Sequence, residues 1–261
     1  MRIQTSYLAA AIFAALMCSA ARASLVVNLR FANGSTTHQL TAADVGTDIE
    51  IDVWASITGQ NPPSANNFFG IQYVYYNVVS SLPNGGGTGV NGAIDASANS
   101  LVAPFNANGS QLGVTQDING DGVADVGSAT EATNVDKPRG FDSVTDAIFD
   151  DNATAVKNAL PDGYEFEIEK LFFHVNSLAL GETEFTPVIP TSLLAGADLV
   201  GADWFQDSST DTSNPPPAIG FMNGPYSGGT AVTFVNVPEP TGIAMLLGVG
   251  GLLGWRRGRG V

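Results

Sequence analysis

Cysteine is almost missing from this 261-residue chain: Cys18 is the single example, and it lies in the N-terminal apolar stretch. Once that stretch is removed, neither a disulfide framework nor a cysteine nucleophile is available, so stability has to come from a core, a metal or a partner. Histidine is nearly as scarce. His38 and His174 stand far apart with no second His at metal-type spacing, which leaves no His-based metal site or His-paired nucleophile in the sequence. His174, in the apolar run Leu171–Val175, reads as a structural, partly buried residue. Basic residues are few as well, ten Lys and Arg against 25 Asp and Glu. Between residues 24 and 237 only Arg30, Lys137, Arg139, Lys157 and Lys170 oppose 24 carboxylates (the 25 less Glu239), a formal charge of −19. Such a field repels phosphate backbones, whose binding relies on Lys and Arg displacing counterions, and nucleic acid is excluded as a partner. Surface solubility and affinity for calcium are the two readings of the acidity. No glycine loop carries the Lys and Ser or Thr that cradle phosphates. No sustained repeat signals a propeller or solenoid.

What is present is clearest at the two ends. Arg2 precedes the apolar Tyr7–Met17, and Ala21-Arg22-Ala23 supplies the small residues that signal peptidase needs before Ser24. Residues 1–23 therefore read as a signal peptide cleaved between Ala23 and Ser24, and the chain as exported. Met17 stands before Cys18 where a lipoprotein would have a small residue, so lipidation does not fit. At the other end Val237-Pro238-Glu239-Pro240 leads into the apolar run Thr241–Trp255 and then Arg256, Arg257 and Arg259. The guanidinium groups resist crossing a membrane and stay cytoplasmic, which holds the body outside. At about 1.5 Å per residue the run spans about 22 Å, short of the roughly 30 Å hydrocarbon core of a permanent anchor.

This ordered triple resembles the PEP-CTERM sorting signal of Gram-negative bacterial surface proteins, which the membrane enzyme exosortase recognises. The resemblance implies a sorting signal over 237–261, with the motif at 237–240, a hydrophobic transmembrane helix at 241–255 and a basic tail at 256–261. It implies exosortase and signal peptidase as processing partners, transient anchorage in the inner membrane, removal of the tail, and final residence at the cell surface or in an extracellular matrix.

The body, 24–236, is long enough for one sizeable domain. Period-two alternation dominates it. Leu25, Val27, Leu29 and Phe31 share one face and Asn28 and Arg30 the other, up to the turn at Asn33-Gly34; Ile49, Ile51, Val53, Ala55 and Ile57 oppose Glu50, Asp52 and Ser56. Phe68–Ser80, aromatic and β-branched throughout, reads as one strand at the centre of a sheet. In Tyr164–Val175 the residues Glu165, Glu167 and Glu169 share a face that reads as solvated, and Thr230–Val237 reads as the last strand. Only 142–160 has a loose helical spacing, stopped by Pro161-Asp162-Gly163, and predicts one or two short helices. The expected fold is all-β: a single antiparallel β-sandwich of jelly-roll or cohesin-like type with long loops. The run Ile49–Ser80 resembles the opening strands of bacterial cohesins and carbohydrate-binding sandwiches.

One motif carries explicit chemistry, Asp117-Ile118-Asn119-Gly120-Asp121-Gly122-Val123-Ala124-Asp125. Calcium takes six to eight oxygen ligands, and alternate positions 1, 3 and 5 aim Asp117, Asn119 and Asp121 inward around a turn that Gly122 permits. The Val123 carbonyl and Asp125 carboxylate complete most of the shell. Ser128 occupies the twelfth position, where an EF-hand has its closing Glu, and Glu131 comes three residues too late. The nine-residue loop resembles those of integrin-type FG-GAP and thrombospondin type 3 repeats, and more loosely dockerin loops. The expectation is one structural calcium ion; the competing reading is a solvated turn, since Asp, Asn and Gly favour turns anyway.

No catalytic constellation is legible. The functional expectation is a surface or matrix protein acting by adhesion or presentation, with other surface proteins or extracellular polysaccharide as partners. The alternative is a carbohydrate-binding or cohesin-like module in which Trp54 and Trp204 stack on sugars, set against core packing of the same rings. A secreted glycoside hydrolase with a pair of carboxylates comes third.

Overall fold

A computed structural model describes residues 24–58, 68–81, 91–106, 110–128, 148–149, 155–179, 181–190, 202–207 and 226–236. Residues 1–23 and 237–261, expected from the sequence to be a signal peptide and a sorting signal, lie outside the described residues. The described residues form no helix and sixteen strands. In chain order these are β1 (Ser24–Phe31), β2 (Thr37–Gln39), β3 (Asp48–Thr58), β4 (Phe68–Val74), β5 (Asn77–Ser81), β6 (Gly92–Ile94), β7 (Ser100–Leu101) and β8 (Thr115–Gln116). They continue with β9 (Asp125–Val126), β10 (Ile148–Phe149), β11 (Lys157–Leu160), β12 (Gly163–Val175), β13 (Gly181–Val188), β14 (Ala202–Asp207), β15 (Tyr226–Gly228) and β16 (Val232–Asn236). The chain is all-β.

The alternating sequences build the largest sheet, in the order β11-β12-β3-β1-β15, with β6 and β7 also paired to β12. A second sheet runs β2-β16-β13-β5-β9-β8, and a third joins β10-β4-β14. Leu25, Val27, Leu29, Ile51, Val53, Phe166 and Phe173 of the first meet Val78, Phe185, Val232 and Phe234 of the second in one hydrophobic cluster. Its centre is aromatic: the Phe173 ring stacks on Phe234 at 4.2 Å between centroids and meets Phe185 edge-on at 5.6 Å. Apolar burial of this kind is the main stabilising term, about 25 cal/mol per Å² removed from water.

Three expectations change. Phe68–Ser80 is two strands: β4 is the middle of the three-stranded sheet, whereas β5 lies between β13 and β9 of another, the chain passing from one to the other at Tyr75-Tyr76. The segment 142–160 contains strands β10 and β11 where helix was expected, its remaining residues up to 154 lying outside the described ones. Lys157–Leu160 folds back on Phe166–Gly163 as the first arm of a hairpin, and ladder pairing overrides a weak helical spacing. Finally, the pairing is not wholly antiparallel, because β1 with β15 and β16 with β2 run parallel.

Candidate functional site

The Asp117–Asp125 loop is built by its own side chains. Gly120 and Gly122 take φ of +78° and +88°, a left-handed backbone open to glycine, and so let the chain bend through residues 118–123. Asp117 accepts from the backbone N–H groups of Gly120 at 2.6 Å, Asp121 at 3.2 Å and Gly122 at 3.0 Å. Asn119 Oδ1 accepts from Asp121 N at 3.0 Å, and Asp121 Oδ1 from Val123 N at 2.8 Å. Val123 pins the turn by burying its side chain in the core. Asp125, fully buried, accepts from Ile118 N at 2.6 Å and from both Ser80 N and Ser80 Oγ at 2.6 Å.

Ser80 is the member of this site that sequence reasoning missed. Its hydroxyl also lies 3.2 Å from both Asp121 carboxylate oxygens, and its carbonyl accepts from Asn119 Nδ2. The residue sits on β5, some forty positions earlier, and only the pairing of β5 with β9 brings it here. Ser128, the would-be twelfth position, donates its N–H to Asn77 Oδ1 at 3.1 Å, and the loop runs into strand β9. A helix-flanked EF-hand is thereby absent. The loop carboxylates face backbone donors, and both oxygens of Asp117, Asp121 and Asp125 accept hydrogen bonds.

A second polar cluster lies on the face of the largest sheet that looks away from the core. Register sets it: Arg30 of β1 and Lys170 of β12 both stand opposite Asp52 of β3, Asn28 and Glu167 opposite Trp54, and Glu165 opposite Ser56. The Arg30 guanidinium turns from Asp52 to bind Glu165 at 2.7 Å and lies 3.7 Å over the Trp54 ring. Lys170 Nζ pairs closely with Glu50 and stands 3.4 Å from Glu167 and 3.8 Å from Asp52. Burial, reinforced by Glu50 and Glu167, pushes the Asp52 carboxyl up to about 6. Hydrogen bonding to Lys170 holds Glu50 below the usual range, and the same bond raises Lys170. Among the described residues, three acidic side chains converge within 4.8 Å only here, at Glu50, Asp52 and Glu167; the loop carboxylates are spread along their backbone donors.

The face of Glu165, Glu167 and Glu169 is not solvated, and it is not shared. A bulge between Glu167 and Glu169 shifts the register of β12 by one residue. Glu165 and Glu167 stay on the outer face, only 8% and 6% exposed, while Glu169 turns inward, fully buried, and receives the Tyr76 hydroxyl. Trp54 is 7% exposed with one ring face against Arg30, so that face is closed to a sugar. Trp204 lies in β14, its side chain outside the described residues. His174 is half exposed and bonds Asp48 Oδ1 at 2.7 Å; His38 packs against Phe31 and Phe234, with its Nε2 3.8 Å from Asp44 Oδ2. Ala21 and Ala23, expected before a signal cleavage, Val237, Pro238, Glu239 and Pro240, expected as a sorting motif, and Arg256, Arg257 and Arg259 lie outside the described residues; Ser24 opens β1. No protein-family model matches the chain, and no curated protein matches it.

Proposed function

We propose that this is an exported surface or extracellular-matrix protein: one β-sandwich braced by a calcium ion in the Asp117–Asp125 loop, delivered by exosortase through its C-terminal signal and acting by adhesion or presentation. The observation that carries the reading is the ordered triple at the C-terminus, Val237–Pro240, the apolar 241–255 and Arg256, Arg257 and Arg259, on a chain that opens with an export signal. The core shared by the two larger sheets supports the sandwich. The absence of cysteine after Ser24 gives a bound ion a clear physical task, since a ligand that binds only the folded state stabilises it by mass action.

The test is fate in a Gram-negative host that carries an exosortase. The native chain is expected in the surface or matrix fraction with a mass short of the sorting tail. A variant with Pro238→Ala, Glu239→Ala and Pro240→Ala is expected to remain in the inner membrane with the tail attached. Native and variant chains sharing one location and one mass would sink the proposal.

A further inference from the structure

The outer-face cluster of Glu50, Asp52 and Glu167 has an unbalanced charge. Three carboxylates meet one ammonium, that of Lys170, because Arg30 is committed to Glu165 and Trp54. The Glu167 side chain is more than nine-tenths buried and that of Asp52 close to it, at 8% and 11% exposure. Asp52 Oδ1 and Glu167 Oε1 accept no hydrogen bond, Asp52 being bonded only to Glu50, itself a carboxylate, and both oxygens lie in the cluster, where Lys170 Nζ stands off at 3.8 and 3.4 Å. Buried carboxylate oxygens without donors are costly unless a cation or a proton meets them. Asp48 and His174 pair with each other farther along the same two strands and Asn158 donates to Glu165, so neither supplies the missing charge.

We propose that Glu50, Asp52 and Glu167 form a site for a hard divalent cation, which enters as the Lys170 ammonium swings out to solvent. The chemistry and the dimensions agree. The donors are all carboxylate oxygens, the set that calcium, magnesium and manganese take. The three oxygens lie within 4.8 Å of one another, close enough to share one ion. Lys170 is a third exposed on a flexible stem, so its head can leave without disturbing β12. A divalent ion replaces one positive charge by two where three negative ones are held. The site is separate from the Asp117–Asp125 loop and stands or falls independently of the sorting reading.

The experiment titrates the full-length chain with calcium by calorimetry and with terbium by tryptophan-sensitised luminescence. Trp54 is the cross-strand partner of Glu167, with Cβ atoms about 5 Å apart in such pairs, so a lanthanide held by the triad sits within energy-transfer range. Glu167→Gln is expected to weaken this binding at least tenfold and to abolish the terbium signal; Asp52→Asn serves as the second variant should the first not fold. Lys170→Met, which removes the competing ammonium, is expected to tighten binding about tenfold. Asp121→Ala, in the loop, is expected to leave the terbium signal unchanged. Equal terbium emission from native and Glu167→Gln chains, weaker binding by Lys170→Met, or loss of the signal in Asp121→Ala alone would each overturn the site.

Discussion

Glu169 shows how much one residue can depend on its neighbour. It sits in the core with no exposure, and Tyr76, equally buried, gives its hydroxyl to the carboxylate. Removing one partner of a buried pair exposes the other to its full desolvation cost, about 1–3 kcal/mol. Tyr76→Phe is therefore expected to lower stability by about that amount, read from denaturant midpoints; an unchanged midpoint would show that the pair contributes nothing. Asp52 makes the opposite case. Its carboxyl, raised to about 6 from an ordinary value of 3.8, holds its proton more tightly folded than unfolded. The contribution of this group to stability consequently grows as pH falls from above 6 toward 3.8, and above 6 its charge opposes folding. In chelator, Asp52→Asn is expected to raise the melting temperature at pH 7.5, with the gain shrinking by pH 5. A gain that is constant with pH would refute that assignment. None of this was legible beforehand, since Glu165, Glu167 and Glu169 look alike in the sequence and one added residue, Ile168, decides which of them faces the core.

At the level of elements, β1 and β3 were readable because strict alternation leaves few other solutions; β1 buries every second side chain from Leu25 to Phe31. The burial of both faces of β3 from Asp52 to Ile57 was not readable, because the outer face is closed by long side chains arriving from β1 and β12. Close approach matters too. A Cβ on Gly163, at the turn from β11 to β12, would stand 1.8 Å from the Ile57 carbonyl oxygen. Gly163→Ala is expected to cost about 1–3 kcal/mol, the range for overpacking, measured by chemical unfolding; a neutral result would mean that the turn shifts freely. The Asp117–Asp125 loop was legible as a motif, its partner Ser80 was not. Asp121→Ala is expected to lower the melting temperature in calcium and to leave it nearly unchanged in chelator, and equal shifts in both would reduce the loop to a turn.

For the whole molecule the decisive contact is the aromatic junction of the two larger sheets. Phe234 stacks on Phe173 and meets Phe31 edge-on at 5.0 Å. Phe234→Ala is expected to cost about 3–5 kcal/mol by loss of burial and the cavity left behind, checked by thermal and denaturant unfolding. A loss below about 1 kcal/mol would show that the two sheets do not depend on this contact. The all-β class followed from composition and period. The order of the strands did not, because β15 and β16 are three and five residues long, and the sheets they join depend on contacts about two hundred positions away.

Those two late strands have a mechanical consequence. β15 lies parallel to β1, Leu25 beside Tyr226, and the ladder continues with Gly229 N donating to Val27 O at 2.8 Å and Leu29 N to Thr230 O at 2.9 Å. A few residues on, β16 lies parallel to β2 and ends at Asn236. A pull applied between Ser24 and Asn236 draws β1 and β15 along their length in opposite senses. Their bonds are then loaded together, in shear, and must yield as a set instead of opening one after another like a zip. Tension that reaches β15 thus meets the β1–β15 ladder in shear.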